Sequence, residues 1–138
     1  MASHFAGVEH ILHAGDVGGG TVLRDLRRIA PVTAVLGNVD FAESGLRLTE
    51  RVELGGRVFL LHHIVNPRQL TDDLREDLQK RPVDVLVFGH SHVPFERRLE
   101  GTLFLNPGYA GMPRFAQPRS LALVHIESGA LRIESIAL

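Results

Sequence analysis

The sequence predicts an α/β domain in which two β-sheets pack on each other with helices outside. Three observations carry that prediction. In the first two-thirds, compact apolar runs alternate with segments whose apolar residues recur at helical spacing, as in βα units. In the last third the pattern changes to short strands joined by Gly-containing turns, as in antiparallel hairpins. At 138 residues the chain is the size of a single domain and can bury a core without disulfide or metal staples. Parallel units followed by hairpins are both accommodated by two packed sheets with helices on the flanks.

Taken in order, His4 to Gly7 reads as the tail of a helix ending at Gly7. Val8 to His13 reads as a strand running into Ala14-Gly15-Asp16. After the Gly18–Gly20 loop, Thr21 is the expected N-cap of a helix that places Leu23, Leu26 and Ile29 on one face, and Pro31 stops it. Val32 to Leu36 is a buried strand ending in Gly37-Asn38-Val39-Asp40. Leu46 to Leu54 alternates, so one face is wet. Gly55-Gly56 turns the chain into Val58 to Leu61, which ends in His62-His63. Asn66 and Pro67 predict the start of a helix carrying Leu70, Leu74 and Leu78, with Asp72 and Asp73 early and Lys80 and Arg81 late, as the helix dipole favours. Asp84 to Phe88 is a buried strand leading into Gly89-His90-Ser91-His92. Strands follow at Phe95–Leu99, Thr102–Leu105, Leu121–Ile126 and Leu131–Ala137, turned at Glu100-Gly101 and Ser128-Gly129. Asn106 to Arg114 is too rich in Gly and Pro for regular structure.

Composition narrows the function classes. Fifteen Lys plus Arg against 16 Asp plus Glu give a net charge of −1, with no electrostatic footprint for nucleic acid or a membrane surface. No apolar run approaches the ~20 residues of a membrane span. The absence of cysteine excludes thiolate ligands, a Cys nucleophile and a disulfide framework, and is compatible with a reducing cytoplasm. Eight histidines and 14 glycines suit a site of imidazole ligands on tight turns.

Gly15-Asp16, Gly37-Asn38, His62 and Gly89-His90-Ser91-His92 share one property: each closes a predicted core strand. In a parallel sheet those ends lie on one edge, where open α/β sheets bind ligands. A carboxylate, an amide oxygen and three imidazoles form a mixed O/N set suited to Mn, Fe, Zn, Ni or Co. A carboxylate can bridge two such ions, and a two-metal clamp with a hydroxide nucleophile is a standard way to attack phosphate esters. His13 reads as a hydrogen-bonded supporter of the Asp16 turn. His63, next to His62, is expected to point elsewhere, and His4, His10 and His125 read as surface or strand-face residues. Ser91 and Thr21 lack the context of a triad.

These residues resemble the calcineurin-like metallophosphoesterases, in particular the small bacterial and archaeal phosphodiesterases and the related retromer subunit. The family pattern of D-x-H, G-D, G-N-x-[DE], H and G-H-x-H, with a later N-P-G-S, is matched in order by Gly15-Asp16, Gly37-Asn38-Val39-Asp40, His62 and Gly89-His90-Ser91-His92. Asn106-Pro107-Gly108 matches the late motif, with Tyr109 in place of Ser. The resemblance implies a four-layer sandwich and a metal-dependent phosphoesterase, most of all a phosphodiesterase, acting by metal-bound hydroxide on a small phosphorylated substrate. It implies Asp16 as the bridging carboxylate, with Asn38, His62 and His90 completing one metal site and His92 belonging to the other. Asp16, Asn38 and His92 would then be catalytic, and manganese is the first choice of ion. Asp40 would orient a ligand or its loop, as His13 supports the turn. Arg114, Asn106 and Gly108 would line the substrate side.

Two departures bear on this. No Asp occurs before Asp16, so D-x-H is absent. The implied first strand and most of the first helix are about 25 residues. The single domain, 1–138, is therefore expected to be N-terminally incomplete, with one ion better supported than two. An absent inner strand would leave unpaired backbone, to be covered by a partner chain such as a second copy, or by an adjusted edge. The second departure is Val39, where larger relatives carry a catalytic His. Both departures also raise the alternative of a catalytically weak or inactive binding protein on the same fold.

Overall fold

The computed structural model describes residues 2–17, 20–38, 40, 45–112 and 116–138. A 3-10 turn at Ala2–Phe5 precedes β1 (Ile11–His13), α1 (Gly20–Arg27), β2 (Val32–Ala34), β3 (Thr49–Leu54) and β4 (Arg57–His62). Then come α2 (Asp72–Lys80), β5 (Val85–Val87), β6 (Phe95–Leu99), β7 (Thr102–Asn106), β8 (Ser120–Glu127) and β9 (Ala130–Ala137). The strands form a five-stranded sheet in the order β3-β4-β5-β7-β6 and two two-stranded ladders, β1-β2 and β8-β9.

β5 occupies the middle of the large sheet because it is the one strand apolar at every position. Val85, Leu86 and Val87 are all buried, so both faces of the strand are covered. It pairs parallel with β4 and β7, placing Leu61 beside Val87 and Val87 beside Leu105. The alternation along these strands divides the core. Phe59, Leu61, Val85, Val87, Leu103 and Leu105 pack with Val35 and with partly buried Leu12, Val124 and Ile133 on one face. Leu60, Leu86 and Phe104 pack with Leu74 and Leu78 of α2 on the other. Leu26 of α1 packs on Ile11, and Leu23 of α1 on Ala34. The layers therefore run α2, five-stranded sheet, the two small ladders, α1, and the expected sandwich with helices outside is what the chain forms.

Three local expectations change. β1 begins only at Ile11, because Val8 N donates to Phe5 O and belongs to the preceding turn. Thr21 lies inside α1, which starts at Gly20. α2 starts at Asp72 with Thr71 as its N-cap, its side chain accepting from Leu74 N. Asn66 instead makes a separate tight turn, with its side-chain oxygen accepting from Arg68 N at 3.1 Å. No helix among the described residues is long and apolar enough to cross a membrane.

The inner layer is not one continuous sheet among the described residues. β1 pairs with β2 and β8 with β9, and the 3-10 turn, β1 and β8 border a groove of about 590 Å³. Its floor is Phe59, Val87 and Leu105.

Candidate metal centre

The parallel pairs β1-β2 and β4-β5 deliver four chain segments to one edge of the molecule, each just past a strand's carboxyl end. Asp16 follows β1, Asn38 follows β2, His63 follows β4 and His90 follows β5. The backbone there is tightly turned. Asp16 has φ 54° and His90 φ 68°, left-handed values that cost a non-Gly residue about 1–2 kcal/mol. Such strain persists where the surroundings impose it. The glycines preceding and facing these residues are required by close approach. A Cβ at Gly15 would come within 2.6 Å of His63 Nδ1, and one at Gly37 would overlap the Asp16 backbone and carboxylate.

Four side chains converge. His63 Nε2 lies 3.1 Å from Asp16 Oδ2 and 2.8 Å from the Asn38 carboxamide. His90 Nδ1 is 3.1 Å from the same carboxamide atom, which lies 3.1 and 3.3 Å from the two Asp16 oxygens. One ligand atom each from Asp16, His63 and His90 fall within 4.8 Å of one another. Metal bonds of about 2.0–2.2 Å to N and O place neighbouring ligand atoms about 3 Å apart. The separations of 2.8–3.3 Å about the Asn38 carboxamide and between His63 and Asp16 meet that requirement. The Asn38 amide adds a second test. With nothing between the groups, its NH₂ end belongs inward, donating to the Asp16 carboxylate and to the imidazoles. A cation reverses the preference, because the amide oxygen, carboxylate oxygens and ring nitrogens are then all lone pairs facing one positive charge. The set of one carboxylate, one carboxamide and two imidazoles fits a borderline divalent ion.

The surrounding contacts orient these groups. His63 is buried, and its Nδ1 donates to Ala14 O at 2.7 Å, which leaves a lone pair on Nε2 for the cluster. Asp40 accepts from Gly37 N at 2.8 Å and so closes the turn that presents Asn38. His13 accepts from Gly15 N at 3.2 Å beneath Asp16. Burial holds His13 below the usual imidazole range, against the opposing pull of Asp40 and Asp16, and His63 adds to the lowering. The cluster is closed on the His63 side and open to solvent at Asn38 and His90.

The structure brings together Asp16, Asn38 and His90 as the sequence suggests, but it corrects the fourth member. His62 belongs to the opposite face of β4, with Leu60, and its Nδ1 bonds Thr49 Oγ1 at 2.8 Å. Burial and the neighbouring His63 lower its pKa. His63 shares the face of Phe59 and Leu61, which looks toward β1 and β2, and that is why it reaches Asp16. Both faces of β4 are apolar, Val58 and Leu60 on one and Phe59 and Leu61 on the other, so strand parity separates the two histidines but does not tell which one faces the Asp16 and Asn38 strands.

His92 lies outside the Asp16–His63–His90 group. Two residues further along the loop, with φ 61°, its ring is stacked on Tyr109. Asn106, expected on the substrate side, is placed beneath the His90 loop. It is buried, its Nδ2 donates to Gly89 O and Ser91 Oγ, both at 3.1 Å, and its Oδ1 accepts from Gly108 N at 3.0 Å. It ties the His90 loop to the turn after β7. Gly108, at φ 93°, packs inward against Pro94 and Ser120. Arg114 and Val39 fall outside the described residues.

Comparison with known proteins agrees with this architecture. The family model of the calcineurin-like phosphoesterase superfamily domain matches residues 1–129. A probable metallophosphoesterase of Methanothermobacter thermautotrophicus is 40% identical over 136 residues, covering 96% of this chain and 77% of its own. Among solved structures, Vps29 of Entamoeba histolytica in complex with zinc superimposes with a TM-score of 0.71 at 26% identity, over 94% of this chain and 82% of that one. An archaeal phosphodiesterase superimposes with a TM-score of 0.75 at 19% identity, over 95% of this chain and 84% of that one. The family match runs from the first residue to the turn after β8 and the archaeal relative is alike over almost the whole chain, so this protein belongs to the calcineurin-like phosphoesterase superfamily.

Proposed function

We propose that this chain is a metal-dependent phosphodiesterase whose ion is held by Asp16, Asn38, His63 and His90. The observation that carries the reading is the convergence of their acceptor atoms at 2.8–3.3 Å on the open edge of the parallel strands. The phosphodiester class is supported by the archaeal phosphodiesterase that shares the fold. A bound divalent ion, manganese in the first instance, would supply charge neutralisation to a phosphoryl group and acidify a water. The protein's own part is to hold that chemistry in place. Ala14 O and Asp40 fix His63 and the Asn38 turn, and Asn106 pins the His90 loop. His92, two residues beyond His90 in the same loop, has no hydrogen bond to its ring nitrogens among the described residues and is the group that meets a phosphoryl oxygen.

A second reading, a metal-binding scaffold, is favoured by one observation: a two-ion clamp needs two ligand clusters, and a single cluster of three such residues occurs among the described residues. The test separates the two. Protein stripped with chelator and reloaded with Mn²⁺ should hydrolyse bis-p-nitrophenyl phosphate. Asp16→Ala should lower kcat at least about 100-fold, as loss of an essential electrostatic group does. Stoichiometric metal binding without turnover would instead select the scaffold, and failure to bind metal would remove both.

A further inference from the structure

We infer that Tyr109 is the positioning residue of His92, holding its imidazole by ring stacking so that the ring nitrogens keep one direction beside the metal cluster. The activity part of this inference rests on the phosphodiesterase reading; the stack itself does not. Among the described residues the His92 ring makes no hydrogen bond or ion pair, and it stacks on Tyr109 at 4.6 Å between ring centroids and 30° between planes. An imidazole with no hydrogen bond is free to change rotamer, and a stacked neighbour selects one.

Tyr109, by contrast, is fixed to the frame. Its hydroxyl donates to Met112 O at 2.8 Å, and its backbone oxygen accepts from Ser120 N, the first residue of β8, at 2.8 Å. Its ring lies so close to Gly111 that a Cβ there would come within 2.8 Å of it. Arg119 Nε donates to Gly111 O at 2.9 Å and holds that backbone in turn. The order of support therefore runs from β8 through Tyr109 to His92. At the other end, the loop that carries His92 is pinned at Gly89 and Ser91 by Asn106. A hydrogen-bond group beside a phosphoryl centre is effective only while it stays aimed at the oxygen where charge builds, and a small misplacement is costly in rate. A serine at 109 would offer no ring to stack.

The sequence contains one tyrosine and no tryptophan, so the intrinsic emission of the metal-free protein reports Tyr109 alone. His92→Ala should change the intensity of that emission, and His4→Ala should not. In the Mn²⁺-loaded protein, Tyr109→Ser should lower kcat on bis-p-nitrophenyl phosphate about 10- to 100-fold with little change in KM. Tyr109→Phe, which keeps the ring, should recover most of that rate. The double variant Tyr109→Ser/His92→Ala should be no slower than His92→Ala, since the two residues act as one unit. Multiplicative losses in the double variant, or emission indifferent to His92→Ala, would overturn the inference while leaving the enzyme reading intact. A wild-type protein that turns over nothing would overturn the enzyme reading and the catalytic role of Tyr109 together, and the emission arm would still decide whether the stack exists.

Discussion

Replacing His63 and His62 separately by alanine should give two unlike proteins. His63→Ala removes a ring whose Nε2 faces Asp16 and Asn38, so divalent metal affinity should fall about 10- to 100-fold or more, the range reported for loss of groups supporting a metal. His62→Ala removes a hydrogen bond to Thr49 and should cost about 1 kcal/mol of stability with metal stoichiometry retained. Calorimetric titration with Mn²⁺ and urea unfolding separate the two; equal metal loss in both would contradict the assignment. Asn106→Ala belongs to the same scale. It strands Gly108 N and leaves Gly89 O only its bond from Ser91 N, and should cost about 1–2 kcal/mol, again read by urea unfolding. Asp16, Asn38 and His90 were legible in the sequence because each follows a glycine that closes an apolar run, a local pattern with a local cause. His63 was not, because choosing between adjacent histidines requires knowing which face of β4 looks at β1 and β2, and sheet order is a long-range property. The burial of Asn106 was hidden for a related reason: its motif is visible in the sequence, its tertiary contacts are not.

At the scale of elements, α2 shows what competes with a good local signal. Asn66-Pro67 has the chemistry of a helix start, but the Asn66 side chain closes its own turn on Arg68, and the helix begins five residues later at the Thr71 cap. The Leu70, Leu74, Leu78 stripe was legible because period and burial agree. Thr71→Ala should therefore destabilise by about 1 kcal/mol, whereas Asn66→Ala should leave the helix start in place. Asp77 ties the same helix to β3: Arg81, at the helix C-cap, binds it at 2.8 Å and Arg51 of β3 reaches it at 3.1 Å. The hydrogen bond from Arg81, with the charges of Arg81 and Arg51, holds its carboxyl below the ordinary range against the opposing effect of desolvation. A carboxylate whose pKa is depressed by folding stabilises the fold above its unfolded pKa of about 4, and that contribution disappears as pH falls through the lower folded value. Asp77→Asn should then cost about 0.5–1 kcal/mol at neutral pH, the range of a solvent-screened ion pair, and progressively less below about pH 4. Urea midpoints of both proteins across acidic pH check the sign; a difference that grows on acidification would contradict it.

For the whole molecule, the layer count and the switch from parallel to antiparallel pairing were legible, since each follows from the spacing of apolar runs and turns. Sheet order was not. β5 pairs with β7 rather than with its sequence neighbour β6, and the inner layer divides into two ladders, because pairing between distant segments leaves no local trace. That division has a physical consequence. The groove bordered by β1 and β8 is floored by Phe59, Val87 and Leu105, core residues on which the two small ladders close incompletely. An apolar recess of this kind should bind an environment-sensitive dye such as ANS in the native state, with near-ultraviolet dichroism intact, unlike the dye binding of an expanded globule. Ala122 offers the means to test it. It lines the groove and has the strand parity of Val124 and Ile126, which pack on the floor cluster. Ala122→Phe should place a ring over Phe59 and Leu105, reduce dye emission and raise stability by about 0.5–2 kcal/mol, as cavity filling commonly does. Should the variant bind dye as before and unfold at lower urea, the recess would be a surface that packing has already closed, and the incomplete closure of the inner layer would have no energetic weight.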